Sequence, residues 1–189
     1  MRRMLVDASA FITLAEIGKV ELLRDIGELV RMPDAVVEEI QGGVAAAILD
    51  EVCNGWIGTY NVDSNAEMRN EIADARREAG FHLGIEDVEE EGEGDLTILT
   101  LAIFHGLTAG ERIVVVTDDK PLRKTCKALG VPISGSIGVL IAAVERGDLE
   151  PDEAKDALVA MDEVGARLSA RLLRKAERLI DEAAERRGT

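Results

Sequence analysis

Twice in this chain a short apolar run stops at an acid, and that pattern limits the fold more than any other feature. Leu5 and Val6 halt at Asp7, and the β-branched run Ile113-Val114-Val115-Val116 halts at Thr117-Asp118-Asp119. The second run lacks polar alternation, as expected of a parallel strand buried on both faces. Each run is followed by apolar residues at helical spacing. Phe11, Ile12, Leu14, Ala15 and Ile17 lead to Gly18, and residues 122–129 lead to Gly130. Strand, acid, helix, repeated along the chain, predicts an α/β fold: three layers, α/β/α, around a central and mostly parallel sheet.

The remaining segments fit that plan. A short helix is expected over 20–26 and a strand over 28–32. Pro33-Asp34 should open a helix that turns Val36, Val37 and Ile40 inward. A helix is expected over 44–52, a strand over 56–62, and a charged helix over 65–79 capped by Asp63-Ser64. An acidic, glycine-broken connection over 86–93 precedes a strongly apolar helix that should end near Gly106. Ile133 should begin a short strand, with Gly135, Ser136 and Gly138 forming a turn into the next helix. Residues 151–185 read as two helices broken near Gly165. With no repeat and no long linker, the expected organisation is a domain over 1–150, with 151–189 a helical extension packed on the same core.

The chain has 189 residues, 47% of them hydrophobic, enough for one core. Its apolar runs are far shorter than the ~20 residues that span a bilayer, and the first residues lead to Asp7 without a long apolar stretch. Neither a signal peptide nor membrane contact is expected, and a cytoplasmic location is. Cys53 and Cys126 are far apart, so reduced thiols are expected rather than a disulfide framework or zinc cluster. With 37 acids against 22 basic residues the net charge is −15. Such a balance opposes phosphate binding unless bound metal neutralises the acids or the basic residues cluster locally.

In a parallel α/β sheet, ligands collect at the carboxyl ends of the strands. Asp7 and Asp119 each follow a strand, Asp95 begins the apolar helix after Gly94, and Glu39 lies on the helix after the second strand. Carboxylates that converge there suit hard divalent ions such as magnesium or manganese, which offset their mutual repulsion. The matching chemistry is phosphodiester hydrolysis. Each acid also has an ordinary structural reading. Asp7 and Asp95 could be helix caps, Glu39 a solvated helix residue, and Asp118-Asp119 a turn. No Walker-type phosphate loop is present.

As an ordered set, the acids resemble the PIN-domain nucleases, the family that includes VapC-type toxins. The resemblance rests on Val6-Asp7-Ala8-Ser9, on Met32-Pro33-Asp34-Ala35-Val36-Val37-Glu38-Glu39-Ile40 and on Gly94-Asp95-Leu96-Thr97-Ile98-Leu99. It continues in Val115-Val116-Thr117-Asp118-Asp119-Lys120 and in Leu129-Gly130-Val131-Pro132-Ile133-Ser134-Gly135-Ser136. With the segment Val164-Gly165-Ala166-Arg167-Leu168-Ser169, it extends to an uncharacterised prokaryotic subgroup of that family. The resemblance implies a catalytic, metal-binding set of Asp7, Glu39, Asp95 and Asp119, with Asp118 as a further metal ligand and Ser9 and Thr117 in support. Glu38 competes with Glu39 and Asp118 with Asp119, and Glu93 is near enough in sequence to contribute. It further implies magnesium or manganese as cofactor, an RNA substrate and, for toxin-type members, an antitoxin protein partner.

Two basic groups interrupt the acidic background. Lys120, Arg123, Lys124 and Lys127 follow the last acid on one helix, and Lys120 and Arg123 are candidates to hold the substrate backbone. Arg167, Arg171, Arg174 and Arg178 form a stripe at helical spacing, expected to meet acids on this subunit or on a second copy in a homodimer. His82 and His105 lie outside the acid motifs. Trp56, Tyr60 and three Phe are too scattered for base stacking, so recognition of RNA by shape or by exposed single strands is expected.

Overall fold

A computed structural model describes residues 2–26, 29–61, 68–88, 94–108, 110–166 and 168–187. The first half contains β1 (Arg2–Val6), α1 (Ala8–Glu16), α2 (Leu22–Ile26), β2 (Leu29–Pro33), α3 (Asp34–Glu39), α4 (Gly43–Gly55), β3 (Gly58–Tyr60) and α5 (Arg69–Leu83). The second contains α6 (Gly94–Ala102), β4 (Arg112–Val116), α7 (Lys120–Ala128), β5 (Ile133–Ser134), α8 (Ser136–Arg146), α9 (Pro151–Met161) and α10 (Ala170–Arg187). The five strands form one sheet in the order β3-β2-β1-β4-β5, and every pairing is parallel. The expected α/β architecture is therefore present.

Helices flank the sheet in two groups. α6 lies across β2, β1 and β4 with α5 outside it, while α1 and α2 pack with α8, and α9 and α10 pack behind. Met4, Leu5 and Val6 on β1, Val115 and Val116 on β4, and Leu96, Ile98, Leu99 and Leu101 on α6 are all buried in one continuous core. Both sides of the central strands are covered, which is why their sequences are apolar without alternation. The C-terminal helix joins the same core through Ala176, Ile180 and Ala183. Its end is tied to α8 and to the following turn by ion pairs of Arg186 with Glu145 and of Arg187 with Glu150. Among the described residues no helix is long and apolar enough to cross a membrane.

Register sets the position of the site. Val6 pairs with Val116, so the chain leaves β1 and β4 at the same level. The backbone N–H of Asp7 donates to the carbonyl of Val116 at 2.9 Å, which holds the two exits together.

Several element bounds differ from the sequence-based expectation. The charged helix continues past Ala79 to Leu83 and ends at Gly84, whose φ of +76° suits a glycine. Gly80 sits inside the helix, where an added Cβ would come within 2.3 Å of Val88. The small residue there admits close packing rather than ending the helix. The expected cap at Asp63-Ser64 lies outside the described residues. After α6 the chain makes a π-helical turn over 103–108, whose wider path buries the consecutive residues Ile103, Phe104 and His105. Gly138 belongs to the first turn of α8 rather than to a preceding loop.

Candidate active site

At the carboxyl edge of the sheet is a cleft of about 430 Å³ lined by Asp7, Ala8, Ser9, Glu39, Asp95 and Asp119. The four acids singled out in sequence thus line one cavity, although they come from four separate segments. Asp7 stands between β1 and α1, Glu39 at the end of α3, Asp95 in the first turn of α6, and Asp119 at the N-cap of α7. Three of them therefore occupy helix N-termini, where unpaired N–H groups and the helix dipole partly offset the crowding of negative charge.

Asp7 is 4% exposed and is held by side chains rather than used as a cap. It occupies the N-cap position of α1, yet its carboxylate makes no capping hydrogen bond. Its Oδ2 instead accepts from the hydroxyl of Ser9 and from Thr117 Oγ1, the latter at 2.7 Å. Each hydroxyl also accepts from the loop after β4. Asp118 N donates to Ser9 Oγ and Asp119 N donates to Thr117 Oγ1, both at 3.0 Å. Two hydroxyls therefore connect the Asp7 carboxylate to the backbone that carries the next two acids.

The neighbouring acids diverge. Asp119 faces the cleft, and its Oδ1 accepts from Leu122 N at 2.7 Å, capping α7. Asp118 points the other way and lines a second groove, where its carboxylate accepts from the backbone N–H and the hydroxyl of Ser136 at the start of α8. Both Glu38 and Glu39 are exposed, but only Glu39 lines the cleft, and its Oε1 accepts from Gly94 N at 2.7 Å. A Cβ on Gly94 would lie 2.5 Å from that Oε1, so the absence of a side chain at 94 lets Glu39 reach the start of α6. Glu93 lies outside the described residues.

The basic candidates lie beside the cleft rather than in it. Lys120 and Arg123 line the second groove. The Arg123 guanidinium donates through Nη1 to the carbonyls of Thr117 and Ser134, both at 2.7 Å, clamping the ends of β4 and β5. Arg171, Arg174 and Arg178 are exposed on α10, with Arg178 3.6 Å from Glu182, and Arg167 lies outside the described residues.

A set of four carboxylates matches the donors that hard divalent ions prefer, and such ions keep several waters instead of demanding a full protein cage. Among the described residues, no three His, Cys, Asp or Glu converge as a ready-made cage. The donor chemistry fits an ion bound by one or two carboxylates with water completing its shell. Both cysteines are free thiols. Burial pushes the Cys126 thiol up to about 11, and the nearby charge of Asp95 adds to the effect, so this cysteine stays protonated and unreactive behind the acids.

Sequence reading missed the tight glycines at 94 and 135 and the role of Ser136. Gly135-Ser136 already lay within the resembling tail, but nothing local linked it to Asp118. An all-parallel sheet with acids at its carboxyl edge defines an α/β domain whose ligand site lies at the strand ends. The family model for the PIN domain matches residues 82–182, just over half of the chain. The chain belongs to the PIN-domain family, whose members are generally nucleases. No curated protein and no solved structure gives a significant match.

Proposed function

We propose that this chain is a divalent-metal-dependent endoribonuclease whose site is Asp7, Glu39, Asp95 and Asp119. The observation that carries the proposal is the single cleft lined by four acids from separate segments. Asp7 with one of Asp95 and Asp119 would hold magnesium or manganese, waters completing the shell, and Glu39 lines the same cleft beside the start of α6. Asp118 is left out of the set because its carboxylate is engaged by Ser136. When bound, the ion would neutralise charge on the scissile phosphate and lower the pKa of a water. Asp7 contributes a fixed, nearly buried oxygen, because Ser9 and Thr117 hold its other oxygen in place. The four acids repel the scissile phosphate, so seating that phosphate in the cleft depends on the neutralisation. We further place the protein in the cytoplasm as a VapC-like toxin paired with an antitoxin, with residues 151–189 an extension of its single domain.

The test is cleavage of single-stranded RNA with and without magnesium or manganese. Wild type should cleave only with the ion, and Asp7→Asn should lose on the order of a thousandfold in rate. Full metal-dependent activity in Asp7→Asn would refute the assignment.

A second reading is a PIN-fold protein that binds without cleaving, favoured by the lack of a three-donor cage among the described residues. Titration that detects no magnesium or manganese binding at millimolar concentration would select it.

A further inference from the structure

We infer that the groove between α7, α8 and α10 is a second nucleic-acid subsite, which holds the phosphate backbone of single-stranded RNA next to the acid cleft. This inference rests on the nuclease reading above. The groove has a volume of about 730 Å³, larger than the cleft, and Lys120, Arg123, Lys175, Ile137, Ile141 and Leu172 are among its lining residues.

Two observations identify the occupant. The first is continuity. Asp119 lines the cleft while its neighbours Asp118 and Lys120 line the groove, and Ser9 in the cleft is one helical turn from Thr13 in the groove. A strand whose phosphate lies at the acids therefore runs into the groove within a residue's width. The second is where free positive charge lies. The chain has six lysines. Lys19 and Lys155 are paired with Glu153 and Asp181. The side chains of Lys120, Lys124 and Lys127 on α7 and of Lys175 on α10 make no ion pair or hydrogen bond among the described residues. In a protein of net charge −15, Lys120 and Lys175 line this groove from two different helices without an acidic partner, a placement that suits a polyanion. The acid in the groove, Asp118, is held by the start of α8, and its Oδ1 and Arg123 Nη1 both crowd the Cβ position of Gly135. Its charge is thereby offset where it would otherwise repel phosphate.

The walls explain the mode of binding. Ile137, Ile141 and Leu172 supply apolar contact for sugars and base faces, with no aromatic platform, so backbone charge and shape dominate over sequence.

The test uses the full chain and a fluorescent, mixed-sequence single-stranded RNA of about twelve nucleotides, followed by anisotropy without divalent ions over a range of salt. Lys120→Gln with Lys175→Gln should weaken binding about tenfold and reduce the slope of log affinity against log salt by about 1.4, near 0.7 per lost phosphate contact. Lys175→Arg in place of Lys175→Gln should restore most of its share. Arg24→Gln with Arg69→Gln, an equal charge change at exposed positions outside the groove, should alter neither quantity. Circular dichroism melting checks that each variant folds. If wild type cleaves RNA with metal but the double variant keeps its affinity and slope, the groove assignment fails and the nuclease reading stands. If wild type neither binds nor cleaves RNA, the nuclease reading fails and takes the groove with it. If the double variant loses only an acidic amphipathic peptide, the groove is a protein-docking site and the inference is overturned.

Discussion

Thr117 donates its hydroxyl to Asp7 Oδ2 at 2.7 Å and accepts the backbone N–H of Asp119 at 3.0 Å, so one buried side chain aligns two acids 112 positions apart in sequence. The parallel register Val6–Val116 sets this up, and no element of local sequence would do so alone.

That bridge predicts a positioning role for Thr117. Thr117→Val keeps the volume but removes both hydrogen bonds, and metal affinity and cleavage should each fall about 10- to 100-fold, as for other groups that orient metal ligands. Thr117→Ser should retain most of both. Isothermal titration with manganese alongside cleavage rates separates this role from a fold defect, which would instead appear as a loss of melting temperature shared by both variants.

Gly94 predicts a split between stability and activity. Gly94 is the first residue of α6, where alanine alters helix stability less than in a helix interior. The added Cβ would press on the Glu39 carboxylate, the movable end of a side chain. Gly94→Ala should therefore leave the denaturation midpoint close to that of wild type while lowering metal-dependent cleavage. Unchanged cleavage would remove Glu39 from the working set.

Arg123 is expected to act through stability. Arg123→Met removes the two charge-assisted bonds to the Thr117 and Ser134 carbonyls and should cost about 2–3 kcal/mol in urea unfolding. A normal unfolding midpoint with weakened RNA binding would return Arg123 to a direct substrate contact.

Acid sensitivity should come from the opposite edge of the sheet. His105 accepts from Arg3 Nη1 at 3.2 Å, and Glu111 lies 3.4 Å from its other ring nitrogen. Burial first, and then the charge of Arg3, lower the affinity of this imidazole for a proton, with Glu111 opposing. The folded state then binds the proton less readily than the unfolded chain. Its stability is intact above the ordinary histidine value of about 6.5 and declines as pH falls from there toward the depressed value. Urea midpoints measured between about pH 7.5 and pH 5 should drop in wild type and drop less in His105→Gln. Parallel curves would clear His105 as the cause.

Much of the fold was legible in the chain because its signals are local. A β-branched run reads as a buried parallel strand wherever it lies, and glycine after a helical repeat reads as an end, as at Gly18 and Gly130. The expected end of the charged helix at Ala79 fell short of Leu83, and Gly80 inside it is explained by close packing against Val88.

The sequence by itself determined that strands and helices alternate, that acids follow the strands, and that the ordered set is that of a PIN domain. It left two choices open, Glu38 against Glu39 and Asp118 against Asp119. In the tertiary structure Glu39 and Asp119 face the cleft, while Asp118 turns to Ser136 and Arg123 to two carbonyls. The reason is physical. Neighbouring residues at a strand exit share the same local preferences, and their side chains part only when groups far along the chain, here the start of α8 and the end of β5, offer one of them hydrogen bonds and leave the other facing the cleft.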